Sequence, residues 1–296
     1  MPRSVTGRPD RLGSALGRAS AAAAWLVGAG GGVTIGAVLA AASALRRAKV
    51  VHPHGESFLA ELRVQPPSSA PAGVRLLRTP GAHRAVVRFS RSLGLPRPLP
   101  DLLGMSIRVV DAYGAGRHQD FLLVSSADLP VVHHVFLPAG DLQQRPYSSS
   151  LPYRIGGRLF VVGALPDPRS PRPPGGDEFA RLRAAAATGA LRFRLALAPI
   201  EGRFRPVAEL RIGAPLPHTA DALRFNPWNT GGGLELAGAL NRMRRFAYPM
   251  SQWAWRHVAR DGRARQDAAD REVTTHVCAL GVERRERRDS NPRPPA

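Results

Sequence analysis

The stretch HRAVVRFSR, residues 83–91, is the first of several β-rich runs that together decide the fold class. Its Val, Phe and alternating polar residues are typical of a strand. Similar runs follow it, with Gly- and Pro-rich segments such as LGLPRPLPDLLG between them: SIRVVDAY (106–113), QDFLLVSS (119–126), GRLFVVGAL (157–165), LRFRLALAPI (191–200) and PVAELRIG (206–213). Short strands separated by turn signals predict a β-barrel or a β-sandwich.

Two helices are predicted among and after these strands. The segment EFARLRAAAATGAL, residues 178–191, is rich in helix formers. Asp177 stands where an N-cap is expected, and Gly189 lies near the predicted end. The preceding segment, residues 166–177, is rich in Pro and Gly and is predicted to be a loop. The second helix is predicted from Leu234 to about His257.

The composition excludes several classes of site. The 296-residue chain has one cysteine, Cys278, which excludes an internal disulfide, cysteine-cluster metal sites and iron–sulfur ligation. The formal net charge is +20, but only one of the 42 basic residues is a lysine and the arginines are scattered. The sequence has no helix-turn-helix, no zinc finger and no basic groove interleaved with aromatic residues. We therefore expect an Arg-rich surface and no nucleic-acid partner.

Three regions are predicted along the chain: 1–48, 49–257 and 258–296. The first is a polar leader followed by an uncharged segment, 19–45, whose length suffices to span a bilayer but in which Ala and Gly dominate. A membrane anchor, an Ala-rich helix packed on the domain and a loosely folded leader all stay open. The last region is charged and is predicted to be disordered. We expect a cytoplasmic protein, with membrane association through 19–45 left open.

Two histidines, His52 and His54, lie two residues apart in the stretch VVHPHGESF, residues 50–58. One interpretation is a metal-binding pair on one side of a strand, which would need a third ligand. His133 and His134 are candidates for that ligand. A catalytic acid–base and an ordinary surface residue stay open beside the metal pair, and the residues around the two histidines do not decide among these three roles.

Seven segments resemble, in their order and spacing, the catalase-like haem proteins, and among these the short catalase-related peroxidases. They are AKVVHPHGESF (48–58), VVRFS (86–90), PDLLGMSIRV (100–109), HQDFLLVSS (118–126), SSSLPYRIG (148–156), ALRFNPWN (222–229) and NRMRRFAYP (241–249). The resemblance runs from about Lys49 to Arg256. It implies an α+β fold, with a catalase-like antiparallel β-barrel and helices packed outside it, which binds one haem b.

The resemblance also implies roles for individual residues. Tyr248 would be the axial ligand of the haem iron, with Arg244 one helical turn away to stabilise its phenolate. His52 would be the acid–base, with Ser90 orienting its ring, and His54 would lie outside the pocket, exposed at a turn. The haem propionates would be bound by three cations: Arg88, Lys49 and Arg256.

One departure from the family affects the predicted activity. The strand that carries an asparagine in catalases has Val124, Ser125 and Ser126 here, and LPVVHHVF replaces the aromatic residues that follow. We therefore expect a haem-dependent peroxidase acting on hydrogen peroxide or organic hydroperoxides, with an unidentified reducing substrate. Oligomerisation stays open. A degenerate member of the fold, which binds haem or nothing without turnover, is the alternative, and a phosphodiester hydrolase is a distant third.

Overall fold

The computed structural model describes residues 54–66, 70–92, 94–217 and 223–238. It contains ten β-strands: β1 His54–Val64, β2 Gly81–Arg91, β3 Leu103–Val109, β4 Gln119–Ser125, β5 Tyr147–Ser148, β6 Tyr153–Ile155, β7 Arg158–Pro166, β8 Arg192–Pro199, β9 Arg205–Pro215 and β10 Glu235–Leu236. Helix α1 is Arg75–Arg78, helix α2 is Glu178–Ala187, and Val132–His134 form a 3₁₀ turn. None of the helices in this part of the chain is long and apolar enough to cross a membrane.

Eight of the strands close into an antiparallel barrel. The ring runs β1, β2, β3, β4, β5, β7, β8, β9 and back to β1, and the pairings of β7 with β8 and of β9 with β1 complete it. The remaining strands, β6 and β10, extend the sheet from the edge of β7. The predicted strands are therefore confirmed, and the pairing decides in favour of the barrel over the sandwich.

The barrel interior is filled by large apolar side chains that alternate with outward-facing residues. Phe58, Phe89, Tyr147 and Phe193 meet there, with ring centroids 5.5–6.3 Å apart. Because side chains of a strand point alternately to its two faces, the inward Phe89 fixes Arg88 and Ser90 on the outer wall. The register of β2 therefore decides which residues are available for a site outside the barrel.

Helix α2 begins where the sequence predicts it. The Asp177 carboxylate accepts hydrogen bonds from the backbone N–H groups of Phe179 and Ala180, and the Ala180 bond lowers the pKa of that carboxyl. Gly189 follows the helix with φ +68°, a conformation that glycine adopts without strain. The buried residues of α2, among them Phe179 and Leu182, join the same core cluster as the barrel interior. The expectation of helices outside the barrel is thus only partly met.

Two local predictions are wrong. His54 is not at a turn, because it begins β1 and pairs with Arg91 of β2. The helix predicted from Leu234 does not begin there, because Glu235–Leu236 pair with Arg154 and Tyr153 of β6. Gly231, Gly232 and Gly233 come directly before Leu234, and glycine favours irregular backbone over helix. The rest of that predicted helix lies outside the described residues.

Candidate functional site

Two rows of residues on the outer wall of β1–β4 form the candidate site. The first, called the Ser90 row, runs across the strands as Gly55, Ser90, Gly104 and Val124. The second, called the Arg88 row, runs as Ser57, Arg88, Ser106 and Leu122. An outer wall that faces water usually carries large polar side chains, whereas these rows are mostly small and several members are buried. The rows therefore form a flat floor around one arginine.

The Arg88 side chain lies across its neighbour on β1. A Cβ atom added to Gly55 would stand 2.7 Å from both the Cζ and an Nη atom of the guanidinium, and 2.6 Å from the Phe89 carbonyl oxygen. Only a residue without a side chain leaves room for the guanidinium in this position. Arg88 is 9% exposed and Ser90 is 2% exposed, so both polar side chains are held in a covered part of the surface. The structure thus brings these two predicted site residues together, next to Gly55.

A third row on the same wall binds the segment 223–230. Arg108 Nε and Nη2 donate to the two carboxylate oxygens of Asp120 at 2.9 and 2.8 Å, and both residues are buried. The Asp120 carboxylate also accepts from Asn226 N and from Asn229 Nδ2, at 2.8 and 3.0 Å. Arg108 donates to the Arg224 carbonyl oxygen as well. This ion pair therefore fixes 223–230 beside the floor.

Apolar contacts and a buried tyrosine support the same segment. Leu223 and Phe225 pack with Val86 and Leu59, the outer-wall residues next to the Arg88 row. The Tyr113 hydroxyl donates to Gln119 Oε1 at 2.8 Å, and Thr230 Oγ1 lies 3.1 Å from the same oxygen. Burial raises the pKa of Tyr113 to about 12, so its hydroxyl stays protonated and serves as a hydrogen-bond donor. No spacing pattern in the sequence marks Asp120, Arg108 or Gln119, because each is a single polar residue within or beside a strand.

A buried histidine lies farther along the outer wall. His133 is fully buried, its ring centroid is 5.6 Å from that of Phe204, and Ser148 Oγ donates to its carbonyl oxygen. Among the described residues, neither ring nitrogen has a hydrogen-bond partner of normal geometry, although backbone groups of Leu129 and Ile200 lie close enough to favour the charged form slightly. Burial, followed by the nearby His134, lowers the pKa of His133 to about 4. The ring is therefore neutral at physiological pH.

Some of the other residues singled out in the sequence lie within the described part of the chain, and others lie outside it. The two histidine rings of His133 and His134 lie 4.5 Å apart, but no group of three or more His, Cys, Asp or Glu that could hold a metal ion occurs among residues 54–66, 70–92, 94–217 and 223–238. Val124 lies in the Ser90 row beside Gly104, so the departure noted in the sequence falls within the floor. Five predicted residues lie outside the described ranges and stay predictions: Lys49, His52, Arg244, Tyr248 and Arg256.

The solved structures that are similar to this chain include two catalases. A fungal catalase superposes with a TM-score of 0.49 and 14% sequence identity, over 69% of this chain and 58% of the catalase chain. A bacterial catalase gives a TM-score of 0.48 and 14% identity, over 71% and 59% of the two chains. This chain thus spans less than two thirds of either catalase. No family model and no curated protein matches the sequence. Likeness at this level specifies neither a ligand nor an activity.

Proposed function

We propose that this protein binds haem b on the outer wall of its barrel and acts as a haem-dependent peroxidase on hydrogen peroxide or organic hydroperoxides. The observation that carries the proposal is the flat, covered floor of small residues around Arg88. A planar macrocycle needs close approach to the backbone, and Gly55 and Gly104 provide it on both sides of Ser90. An arginine in a covered position suits a carboxylate such as a haem propionate, because their hydrogen bonds are charge-assisted.

Different residues of the chain would act on the two faces of the bound haem. Haem, when bound, supplies the redox chemistry of peroxide reduction. On the floor side, Ser90 would accept a hydrogen bond from the His52 ring and hold its orientation. His52 would then take the proton from one peroxide oxygen and give it to the other, which leaves as water or an alcohol when the O–O bond breaks. Two electrons and two protons from the reducing substrate would complete the reduction and release the first oxygen as water.

On the opposite face, Tyr248 would bind the iron as a phenolate. A free phenol has a pKa of about 10, so a cation must stabilise the charged form, and Arg244 at i−4 is the candidate. Lys49 and Arg256 would join Arg88 in binding the propionates. The segment 223–230 supports this arrangement, because the Arg108–Asp120 pair anchors Asn229, 19 residues before Tyr248, to the barrel wall.

A second candidate is a haem-binding protein without turnover. Val124 favours it, because this residue lies in the Ser90 row and its side chain has no hydrogen-bonding group. A pocket that lacks such a group on this side would bind the cofactor but orient a peroxide less well. The two candidates share the cofactor and differ only in the reaction with peroxide, so one spectrum and one kinetic experiment separate them.

The first experiment tests haem binding. The full-length protein, incubated with haemin, is expected to show the visible spectrum of a high-spin ferric haem protein with a phenolate ligand. Tyr248→Phe should lose or change that spectrum. Tyr113→Phe is the matched control, since it removes a buried tyrosine hydroxyl beside the site that donates to Gln119. An unchanged spectrum in Tyr248→Phe would refute the axial assignment.

The second experiment separates an enzyme from a binding protein. General acid–base catalysis is typically worth about 10²- to 10⁴-fold. His52→Ala should therefore retain haem and slow the spectral change caused by peroxide by about that factor, as measured by stopped-flow absorbance with hydrogen peroxide and with an organic hydroperoxide. His54→Ala, two residues away, is the control and should react at the wild-type rate. Equal rates in the wild type and His52→Ala would favour the binding protein.

A further inference from the structure

Ser57 is a buried hydroxyl that the fold itself does not use. It lies on β1 and is 3% exposed, and its Oγ has no hydrogen-bond partner among the residues that the structure describes. A buried polar group without a partner destabilises a protein, so most buried hydroxyls are hydrogen-bonded and each exception needs an explanation. Ser125, which is equally buried, shows the usual pattern: its Oγ accepts from Leu103 N and donates to the Leu137 carbonyl oxygen.

The position of Ser57 connects it to the floor. It is paired with Arg88 in the β1–β2 register, and both side chains project from the outer wall because their neighbours Phe58 and Phe89 fill the interior. Side chains of directly opposed residues in an antiparallel pair have Cβ atoms about 4.5–5.5 Å apart. The Arg88 guanidinium leans over Gly55, two residues from Ser57 on the same face of β1, so a carboxylate that it binds would lie next to the Ser57 side chain.

We propose that Ser57 and Arg88 together form a carboxylate-binding subsite, in which the Ser57 hydroxyl donates a hydrogen bond to the carboxylate that the Arg88 guanidinium binds. The inference rests on the proposed function, where the carboxylate is a propionate of the porphyrin. A charged acceptor makes the hydrogen bond strong, and a partner present only in the complex accounts for the unpartnered hydroxyl in the protein alone. Ser57 is thus a binding residue and is not required for folding.

This inference predicts effects of opposite sign on stability and on binding. In the ligand-free, full-length protein, Ser57→Ala should raise the urea midpoint, because it removes an unpartnered polar atom. The same variant should bind metal-free protoporphyrin IX about tenfold or more weakly, measured by porphyrin fluorescence, since hydrogen bonds to charged groups are the strong ones. Ser57→Thr, which restores a hydroxyl, should recover most of the affinity.

Two controls make the test specific. Ser125→Ala removes a hydroxyl that has partners, so it should lower the urea midpoint and leave porphyrin affinity unchanged. Protoporphyrin IX dimethyl ester has no free carboxylate, and the wild type and Ser57→Ala should bind it with affinities within about twofold, because a neutral ester is a much weaker acceptor than a carboxylate. A gap of the same size with the ester and with the acid would overturn the inference.

The metal-free probe keeps this test separate from the test of the proposed function, because its binding needs no ligand to iron. A wild type that binds protoporphyrin through Ser57 but gives no haem spectrum would support the subsite and refute the haem protein. Equal affinity of the wild type and Ser57→Ala for protoporphyrin would refute the subsite alone. A wild type that binds neither haem nor protoporphyrin would refute both the haem protein and the subsite. A lower urea midpoint in Ser57→Ala than in the wild type would also refute the subsite.

Discussion

Replacing His133 with leucine is expected to make the protein more resistant to acid. Burial lowers the pKa of His133 from 6.5 to about 4, which means that the folded protein holds the ring in its neutral form. The unfolded chain takes up a proton near pH 6.5, and the folded chain does so only near pH 4. The wild type therefore has its full stability above pH 6.5 and loses the His133 contribution as the pH falls from 6.5 to 4.

The size of the effect follows from the same two values. One pKa unit corresponds to about 1.4 kcal/mol, so the wild type should lose about 3 kcal/mol of unfolding free energy between pH 7 and pH 4 through this residue. His133→Leu cannot take up that proton. The difference in unfolding free energy between variant and wild type should thus grow by about 3 kcal/mol over this range.

Urea denaturation followed by far-ultraviolet circular dichroism at pH 7, 6, 5 and 4 measures this difference. Phe204→Leu is the matched control, because it removes the aromatic ring that packs against His133 but leaves the titrating group. That variant should lose a similar amount of stability at every pH and keep the pH dependence of the wild type. Parallel stability curves for the wild type and His133→Leu would refute the reasoning.

Three further substitutions test interactions that stabilise the fold, by the same urea assay. Asp120→Asn should lower the unfolding free energy by about 3–5 kcal/mol, because it leaves the buried Arg108 charge uncompensated. The double variant Arg108→Met/Asp120→Leu should lose less unfolding free energy than Asp120→Asn, and equal losses would contradict this. Asp177→Ala should cost about 1 kcal/mol through the helix cap, and Asp177→Ser should recover it. Gly163→Ala should cost about 1–3 kcal/mol, because its Cβ would lie 2.4 Å from a ring carbon of Phe204, and a smaller residue at 204 should reduce that cost.

The strands and helix α2 could be predicted because their signals are local. The alternation in HRAVVRFSR and the position of Asp177 just before the Ala-rich segment are properties of neighbouring residues. The strand and the capped helix that they predict are both confirmed. Local signals do not predict where helix α2 packs. Its buried residues join the core cluster of the barrel, and this contact depends on the closed ring of strands. The short strand β10 could not be predicted for the same reason, because Glu235–Leu236 are a strand only through pairing with β6.

The candidate site could be predicted only where a motif marks it. The resemblance predicts roles for Arg88 and Ser90, and alternation along β2 places both on one face of the strand. The β1–β2 register places Ser57 and Gly55 beside Arg88 and Ser90. The sequence of either strand alone does not predict this register. The Arg108–Asp120 pair was missed because twelve residues separate two ordinary strand charges, and their burial depends on the segment 223–230.

The closure of the barrel also bears on how the protein avoids aggregation. A free strand edge offers unpaired N–H and C=O groups to which another chain can add, and closing a sheet on itself removes that edge. Among the strands that the structure describes, the sheet has one open edge, formed by the two-residue strand β10. That strand is too short to support an added strand, and it exposes the charged side chain of Glu235. The described strands thus offer other copies of the chain very little unpaired backbone.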